Sequence, residues 1–311
     1  MKLALIVVGA CLVAVLAVLG VWAWAPDRAR ADLESKYLDD PHDYVDVAGV
    51  RLHVRDTGPP NAPAIVLLHG FGSSLHTWDA WARILAADHR VIRLDLPGAG
   101  LSGLDPKGDY SDTRTLQILE ALLDRLGVAQ ATVVGNSLGG RLAWKFAATR
   151  PQRVDHLILV SPDGFASPGF EYGKAPEISA SLKLMEYFLP KSLLKMSLAP
   201  AYGEPSRLSE PVLDRYYDLL RAPGVREAML ARMHQSLLVD PRPLLACIQA
   251  PTLLLWGVKD RMIPITNAAD YLHAIPGSRL VSFVDLGHVP QEEAPAASLA
   301  PVLTFLHERS E

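Results

Sequence analysis

The sequence feature that most constrains this fold is the segment 131–140, which has the sequence ATVVGNSLGG. Its first half is a β-branched apolar run typical of a buried strand, and residues 141–149 carry apolar side chains at helical spacing. The segment therefore predicts a strand, a sharp turn with Ser137 at its apex, and a helix. Glycines are needed beside such a serine because a Cβ atom there would collide with the neighbouring backbone. We interpret this segment as a turn that presents the hydroxyl of Ser137 as a nucleophile.

Other short apolar runs predict the rest of a sheet. Residues 44–54 alternate between apolar and polar side chains about a glycine, which is typical of an antiparallel hairpin at a sheet edge. The remaining runs are continuously apolar, as expected of parallel strands covered on both faces, and helical patterns separate most of them. The sequence thus predicts an α/β fold with a mostly parallel, doubly wound sheet. The continuous runs are 64–68, 91–94, 132–134, 157–160 and 252–255.

The strand pattern stops between residues 162 and 245, where the sequence is helical in pattern and rich in Leu, Met, Tyr and Pro. An insertion that follows the carboxyl end of a strand lies over the edge where an α/β sheet binds ligands. We interpret 162–245 as a helical cap on a core formed by 41–161 and 246–311. Within it, the apolar stretch 182–198 either packs on the core or forms a surface that meets lipid or lines an acyl pocket.

The amino-terminal segment predicts a membrane anchor. Residues 3–25 contain no charged side chain, and at about 1.5 Å rise per residue a helix of this length spans roughly 34 Å, enough for a hydrocarbon core of about 30 Å. We expect a single-pass transmembrane helix over 1–25, a polar linker over 26–40, and the remainder of the chain on the extracytoplasmic side. A cleaved signal peptide, with Ala23-Trp24-Ala25 as its small-residue site, is the alternative.

Composition narrows the possible partners and cofactors. A formal net charge of -4 over 311 residues is too weak to indicate a nucleic-acid partner, so a small-molecule substrate is expected. The two cysteines are Cys11 and Cys247, which leaves no disulfide within the part of the chain beyond the anchor. The sequence has no nucleotide-binding GxGxxG after a strand and no HExxH or paired cysteines. We therefore expect neither a cofactor nor a metal.

Two backbone amides are candidates for an oxyanion hole. The segment 69–72, HGFG, ends a predicted buried strand in a glycine-rich turn, whose N–H groups can point into a site. Phe71 N–H is one candidate donor. Leu138 N–H, at the start of the helix after Ser137, is the other, and the helix dipole there also favours negative charge. Without a nucleophile downstream, HGFG would be interpreted as a simple tight turn.

A carboxylate and a histidine follow the last two predicted strands. Asp260 comes just past the strand 252–255, and His288 lies in a Gly-His loop after the final strand. When serine, carboxylate and histidine follow one another in this chain order, the histidine can take the serine proton, and the carboxylate holds the histidine in the required tautomer. Asp163 and Asp285 are alternative carboxylates for this role. A further turn, 95–102, is interpreted as structural, with its Asp and Ser as turn caps.

Taken together, these segments resemble the successive signatures of the α/β-hydrolase fold superfamily, from about residue 44 to the end and excluding the cap. The resemblance implies an oxyanion turn at Phe71 and Leu138, a nucleophile at Ser137, an acid at Asp260 and a histidine at His288. Haloalkane dehalogenases and epoxide hydrolases of similar layout have an aspartate at the elbow, which Ser137 argues against. The segments are HGFG at 69–72, DLPGAGLS at 95–102, GNSLGG at 135–140, GVKD at 257–260 and GH at 287–288.

The sequence thus predicts a membrane-anchored serine hydrolase that cleaves carboxylic esters through an acyl-enzyme, with acylglycerol-like lipids as expected substrates. Asn136 resembles carbon–carbon bond hydrolases acting on ring meta-cleavage products, which is the alternative function. Those enzymes have Trp after the loop histidine, where this chain has Val289. Perhydrolase-like and acyltransferase activities use the same triad, and a binding module without chemistry is a further class.

Overall fold

The computed structural model describes residues 2–166, 171–174 and 176–308, except for the side chains of 2–6, 8, 15–17, 19 and 181. Residues 167–170 and 175 of the predicted cap, residue 1 of the predicted anchor and residues 309–311 of the predicted core lie outside the described residues.

Among the described residues, eight strands form one sheet, and their ranges extend most of the predicted runs by a few residues. Its strands are β1 (Tyr44–Val47), β2 (Val50–Thr57), β3 (Ala64–Leu68), β4 (Arg90–Leu94), β5 (Ala131–Asn136), β6 (Val154–Val160), β7 (Thr252–Gly257) and β8 (Arg279–Phe283). The order is β1-β2-β4-β3-β5-β6-β7-β8. The hairpin β1–β2 and the pair β2–β4 are antiparallel, whereas every pair from β4 to β8 is parallel.

The strand order reverses direction beside β3, so the helices of the core cover both faces of the sheet. Apolar side chains of the helices at 79–85 and 295–307 pack on one face, and those of the helices at 112–125, 138–149 and 266–274 pack on the other. The predicted α/β class with a mostly parallel, doubly wound sheet is confirmed. These core helices are α3 (Asp79–Leu85), α4 (Asp112–Arg125), α5 (Leu138–Thr149), α11 (Thr266–Ala274), α12 (Pro290–Glu293) and α13 (Pro295–His307).

In the described residues between β6 and β7 there are five α-helices. The second, third and fourth of these helices contribute to a shared apolar cluster, which also includes Val289 of the loop after β8. In the stretch 182–198, Leu189 and Leu194 are buried, whereas Leu193 and Met196 are exposed. Only part of the apolar surface of this stretch is therefore buried by packing within the protein. The helices are α6 (Ala180–Lys183), α7 (Lys191–Leu198), α8 (Glu210–Leu220), α9 (Val225–Gln235) and α10 (Arg242–Leu245).

The segment predicted as a polar linker contains a docked helix, α2 (Arg30–Tyr37), in which Leu33 and Tyr37 are buried. The carboxylate of Asp218 on α8 accepts hydrogen bonds from Arg28 at 2.7 Å, Lys36 at 2.8 Å and Tyr37 at 2.9 Å. This segment differs from the prediction because its order comes from contacts with α8, far along the chain, rather than from a local apolar pattern.

The amino-terminal helix α1 (Lys2–Ala23) occupies the predicted anchor. Among the residues that the structure describes, however, no helix is long and apolar enough to pass through a membrane. The prediction of a membrane-spanning anchor, and with it an extracytoplasmic location, is therefore wrong. Beyond α1 the chain contacts the cap. Ala25 is buried and its N–H donates to Tyr187 O at 3.0 Å, and Trp24 forms an isolated antiparallel β-bridge with Phe188.

Candidate active site

Ser137 lies at a sharp turn between β5 and α5. Its φ of 55° and ψ of -118° are an unusual backbone conformation for a residue with a side chain, of the kind that costs about 1–3 kcal/mol. The turn is tight because a Cβ on Gly135 would lie 2.1 Å from Gly139 O, and one on Gly139 would lie 2.2 Å from Leu68 O. Both flanking glycines are therefore required by packing, as the sequence predicts.

The HGFG turn after β3 lies directly beside this serine. A Cβ on Gly70 would be 3.3 Å from Ser137 Cβ. His69 holds the turn: its Nδ1 donates to Gly70 O at 2.8 Å, and its Nε2 accepts from Leu96 N–H at 2.9 Å. Burial lowers the pKa of His69, although the charge of Asp95 acts in the opposite direction. A neutral imidazole is what this donor–acceptor pattern requires.

The two candidate oxyanion donors differ in exposure. The Phe71 side chain is exposed, whereas Leu138 is buried as the first residue of α5. The N–H groups in the first turn of a helix have no acceptor within the helix, so Leu138 N–H is available to a ligand. Both residues line the same small cavity. The geometry is compatible with the predicted pair of donors.

His288 and Asp260 form a buried pair. His288 Nδ1 lies 2.8 Å from Asp260 Oδ2, and because a carboxylate only accepts, Nδ1 carries the proton and Nε2 is left as an acceptor. The other carboxylate oxygen accepts from Met262 N–H at 2.8 Å and Ile263 N–H at 2.9 Å. The Asp260 side chain is fully buried. The three hydrogen bonds fix its orientation.

The alternative carboxylates have other partners. Asp163 pairs with Arg141 at 2.7 Å, and Asp285 is an exposed residue that pairs with Lys259 at 2.9 Å. The structure therefore brings His288 together with Asp260 rather than with either of them.

Asn136 connects the serine turn to the histidine loop. Its Nδ2 donates to His288 O at 3.0 Å and to Val160 O at 3.1 Å. The sequence indicates Asn136 only through the resemblance to carbon–carbon bond hydrolases and does not predict this contact. A second contact that the sequence did not indicate joins the loop to the cap, where His288 N–H donates to Ala201 O at 2.7 Å.

The turn 95–102 is structural, as predicted. Asp95 is buried and accepts from His53 at 2.8 Å, Leu75 N–H at 2.7 Å and Leu101 N–H at 2.8 Å. Burial opposes the ionisation of Asp95, but the charge and hydrogen bond of His53 outweigh it and hold the pKa of this carboxyl well below its usual range. Ser102 Oγ donates to Asp95 O at 2.6 Å.

A small cavity of about 30 Å³ lies between the HGFG turn and the cap. Most of its lining is apolar. The lining also includes the charged side chain of Arg232, which donates to Pro97 O at 2.8 Å and to Tyr110 O and Thr115 Oγ1 at 3.2 Å. Burial lowers the pKa of Arg232 to about 10, so it stays charged at neutral pH. The apolar side chains from the cap are Leu219, Leu220, Val225 and Met229.

Within the described part of the chain, no cluster of three or more His, Cys, Asp or Glu side chains has the geometry to hold a metal ion.

A family model describing the alpha/beta hydrolase fold matches residues 63–295. The chain belongs to the α/β-hydrolase family. It is therefore a hydrolytic enzyme by family, and the resemblance inferred from its motifs is confirmed.

Similar α/β hydrolases differ in the bond they cleave. The chain is 34% identical to 2-hydroxy-6-oxononadienedioate/2-hydroxy-6-oxononatrienedioate hydrolase 2 of Pseudomonas putida, over 83% of this chain and 92% of the relative. An enol-lactonase from Burkholderia xenovorans is 27% identical with a TM-score of 0.72, covering 85% of this chain and all of that one. A bacterial membrane phospholipase A is 25% identical with a TM-score of 0.72, covering 98% of both chains.

Proposed function

We propose that this α/β hydrolase cleaves carboxylic esters of apolar acyl groups, with Ser137 as nucleophile, His288 as general base and acid, and Asp260 as the residue that orients the histidine. Phe71 N–H and Leu138 N–H form the oxyanion hole. The observation that carries the proposal is the buried 2.8 Å contact between His288 Nδ1 and Asp260, held beside the serine turn by Asn136.

The reaction proceeds in two halves. Ser137 Oγ forms a bond to the ester carbonyl carbon while its proton passes to His288 Nε2, and the negative charge on the carbonyl oxygen is met by the two N–H groups. His288 then protonates the departing alcohol, which leaves an acyl group on Ser137. Water repeats the sequence and releases the acid. Asp260 stabilises the imidazolium that forms in each half.

The charges around the cavity support a neutral, apolar acyl group. The P. putida relative acts on a substrate that is, by name, a dioate and so carries two carboxylates. In this chain Arg232 already donates to three protein oxygens. Arg141, in the first turn of α5, is paired with Asp163 and Asp112. A carboxylate would have to displace these partners, whereas an acyl chain is compatible with the apolar lining.

Carbon–carbon bond hydrolysis is the second candidate. It is supported by the identity with the P. putida hydrolase, which exceeds the identity with the two solved structures described above. The Asn-Ser pair of the elbow is the residue pattern that the sequence shares with that class. The lactonase and the phospholipase, by contrast, are similar structures whose names describe ester chemistry.

The experiment compares both reactions on one preparation. The purified protein is assayed with p-nitrophenyl acetate, butyrate, octanoate and laurate, and in parallel with a vinylogous 1,5-diketone. We expect ester hydrolysis, stoichiometric labelling by a fluorophosphonate, and loss of both in Ser137→Ala. Turnover of the diketone without ester turnover would establish the second candidate. A protein that neither labels nor turns over any substrate would contradict the proposed triad.

A further inference from the structure

Two adjacent glutamates follow the histidine loop, and both side chains are buried. Glu292 is 5% exposed and Glu293 is 0% exposed. A carboxylate in such a position is costly unless hydrogen bonds or charges compensate for its lost hydration. The partners of each glutamate therefore indicate what that glutamate holds in place.

Glu293 joins the histidine loop to the cap. Its Oε2 accepts from Gly287 N–H at 2.8 Å and from Gly203 N–H at 3.1 Å. Its Oε1 accepts from Glu204 N–H at 3.1 Å and forms an ion pair with Arg207 at 3.4 Å. Gly287 directly precedes His288, whereas the other three partners belong to the segment between α7 and α8.

The two backbone segments that Glu293 joins also touch each other. His288 N–H donates to Ala201 O at 2.7 Å, and a Cβ on Gly287 would lie 2.5 Å from the same oxygen. The residues on each side of this contact, Gly287 and Gly203, both donate to Glu293 Oε2. The backbone of His288 is thus fixed from the cap on one side and from Glu293 on the other.

We propose that Glu293 is a positioning residue for the hydrolysis: it holds the backbone at Gly287 against the cap so that His288 stays aligned between Asp260 and Ser137. The inference rests on the proposed triad and not on the substrate class, because an ester and a 1,5-diketone both require the same histidine. Glu293 does not touch the reacting atoms, and its effect is transmitted through Gly287 and His288.

Glu292 provides the matched control. It accepts from Arg215 at 2.6 Å, Tyr202 at 2.7 Å and Tyr216 at 3.3 Å, all of which are side chains of the cap. It is nearly as buried as its neighbour and holds the same cap, but these bonds do not reach the histidine loop. Loss of either carboxylate weakens the attachment of the cap, and only loss of Glu293 also releases Gly287.

The test compares Glu293→Gln with Glu292→Gln in the full chain. A glutamine at 293 has one acceptor oxygen, and its amide group would face N–H donors, so either the two bonds from Gly287 and Gly203 N–H or those from Glu204 N–H and Arg207 are lost, depending on its orientation. We expect Glu293→Gln to lower kcat and the rate of fluorophosphonate labelling at Ser137 by about tenfold or more, with KM little changed, since small misplacements of a catalytic group carry penalties of this order. Glu292→Gln should lower the melting temperature and keep the wild-type labelling rate.

Glu293→Asp provides a second measurement if the glutamine variant does not fold. It keeps the charge but withdraws the carboxylate by one methylene, and we expect a smaller loss of kcat in the same direction. Equal loss of labelling in Glu292→Gln and Glu293→Gln, or wild-type labelling in a folded Glu293 variant, would overturn the inference. A wild-type protein that labels but cleaves no ester contradicts only the substrate proposed above, and one that does not label contradicts both proposals.

Discussion

Gly257, the last residue of β7, offers a direct test of whether the relative placement of Asp260 and His288 controls activity. A Cβ built on Gly257 would lie 2.1 Å from Gly287 O and 2.3 Å from Leu286 O. Both contacts are backbone atoms of the histidine loop, so no side chain can rotate away to make room. In Gly257→Ala the loop must retreat by more than about 1 Å to reach ordinary van der Waals contact.

The expected cost follows from the geometry. A retreat of that size lengthens the 2.8 Å contact between His288 Nδ1 and Asp260 beyond hydrogen-bond distance and shifts Nε2 relative to Ser137, its proposed partner. A misplacement of about 1 Å at a catalytic group can cost about 100-fold, and this is the loss of kcat/KM that we expect. The assay is initial-rate hydrolysis of p-nitrophenyl butyrate, combined with urea unfolding to verify that the variant is folded.

Gly277→Ala is the control for this experiment. Gly277 has a φ of 71°, and a Cβ there would meet nothing within 4 Å, so the substitution adds backbone strain of about 1–2 kcal/mol without moving the histidine loop. We expect lower stability and unchanged kcat/KM in this variant. A folded Gly257→Ala protein with wild-type kcat/KM would refute the claim that the loop position limits the reaction.

Three further predictions concern other residues. Met229→Ala should enlarge the apolar cavity and shift ester preference toward longer acyl chains, whereas Met196→Ala, at an exposed position, should leave the preference unchanged in the same p-nitrophenyl series. Burial lowers the pKa of His76 from 6.5 to about 4, so the unfolded chain takes up this proton first as the pH falls. The free energy of unfolding should therefore decline by up to about 3 kcal/mol between those pH values, and urea titrations of His76→Gln should lack this slope. Asp260→Asn should lower kcat by about 10⁴-fold by destabilising the required tautomer, while Asp285→Asn should keep the wild-type rate.

The sequence predicted the sheet well because its strands carry local signals. Continuous apolar runs such as Ala64–Leu68 are expected only where both faces of a strand are covered, and the structure has β3 in such a position. The pairing of His288 with Asp260 was also predictable, since both follow the carboxyl ends of neighbouring parallel strands. The role of each residue in catalysis stays a prediction.

Features that depend on distant contacts were not predictable in this way. The docking of α2 depends on Asp218, and the attachment of the histidine loop to the cap depends on the bonds from backbone N–H groups to Glu293. No periodic pattern in the sequence indicates either contact. The hydropathy of residues 3–25 led to the wrong expectation of a membrane anchor. A hydropathy pattern reports apolar character along the chain and carries no information about contacts at its end, where Trp24 meets Phe188.

The segment before β1 is attached to the cap through Asp218. The side chain of Asp218 is 7% exposed, and its ion pairs with Arg28 and Lys36 both originate from the segment that precedes β1. The segment that precedes β1 therefore supports the cap as well as the sheet, where Arg55 of β2 donates to Tyr37 O at 2.9 Å and Tyr44 of β1 donates to Glu34 at 2.7 Å. A shortened protein starting at β1 would lose both ion pairs of Asp218 and would leave Leu219 and Val225 of the cap without the cover of Leu33 and Tyr37. Its cap would therefore loosen although every strand remained.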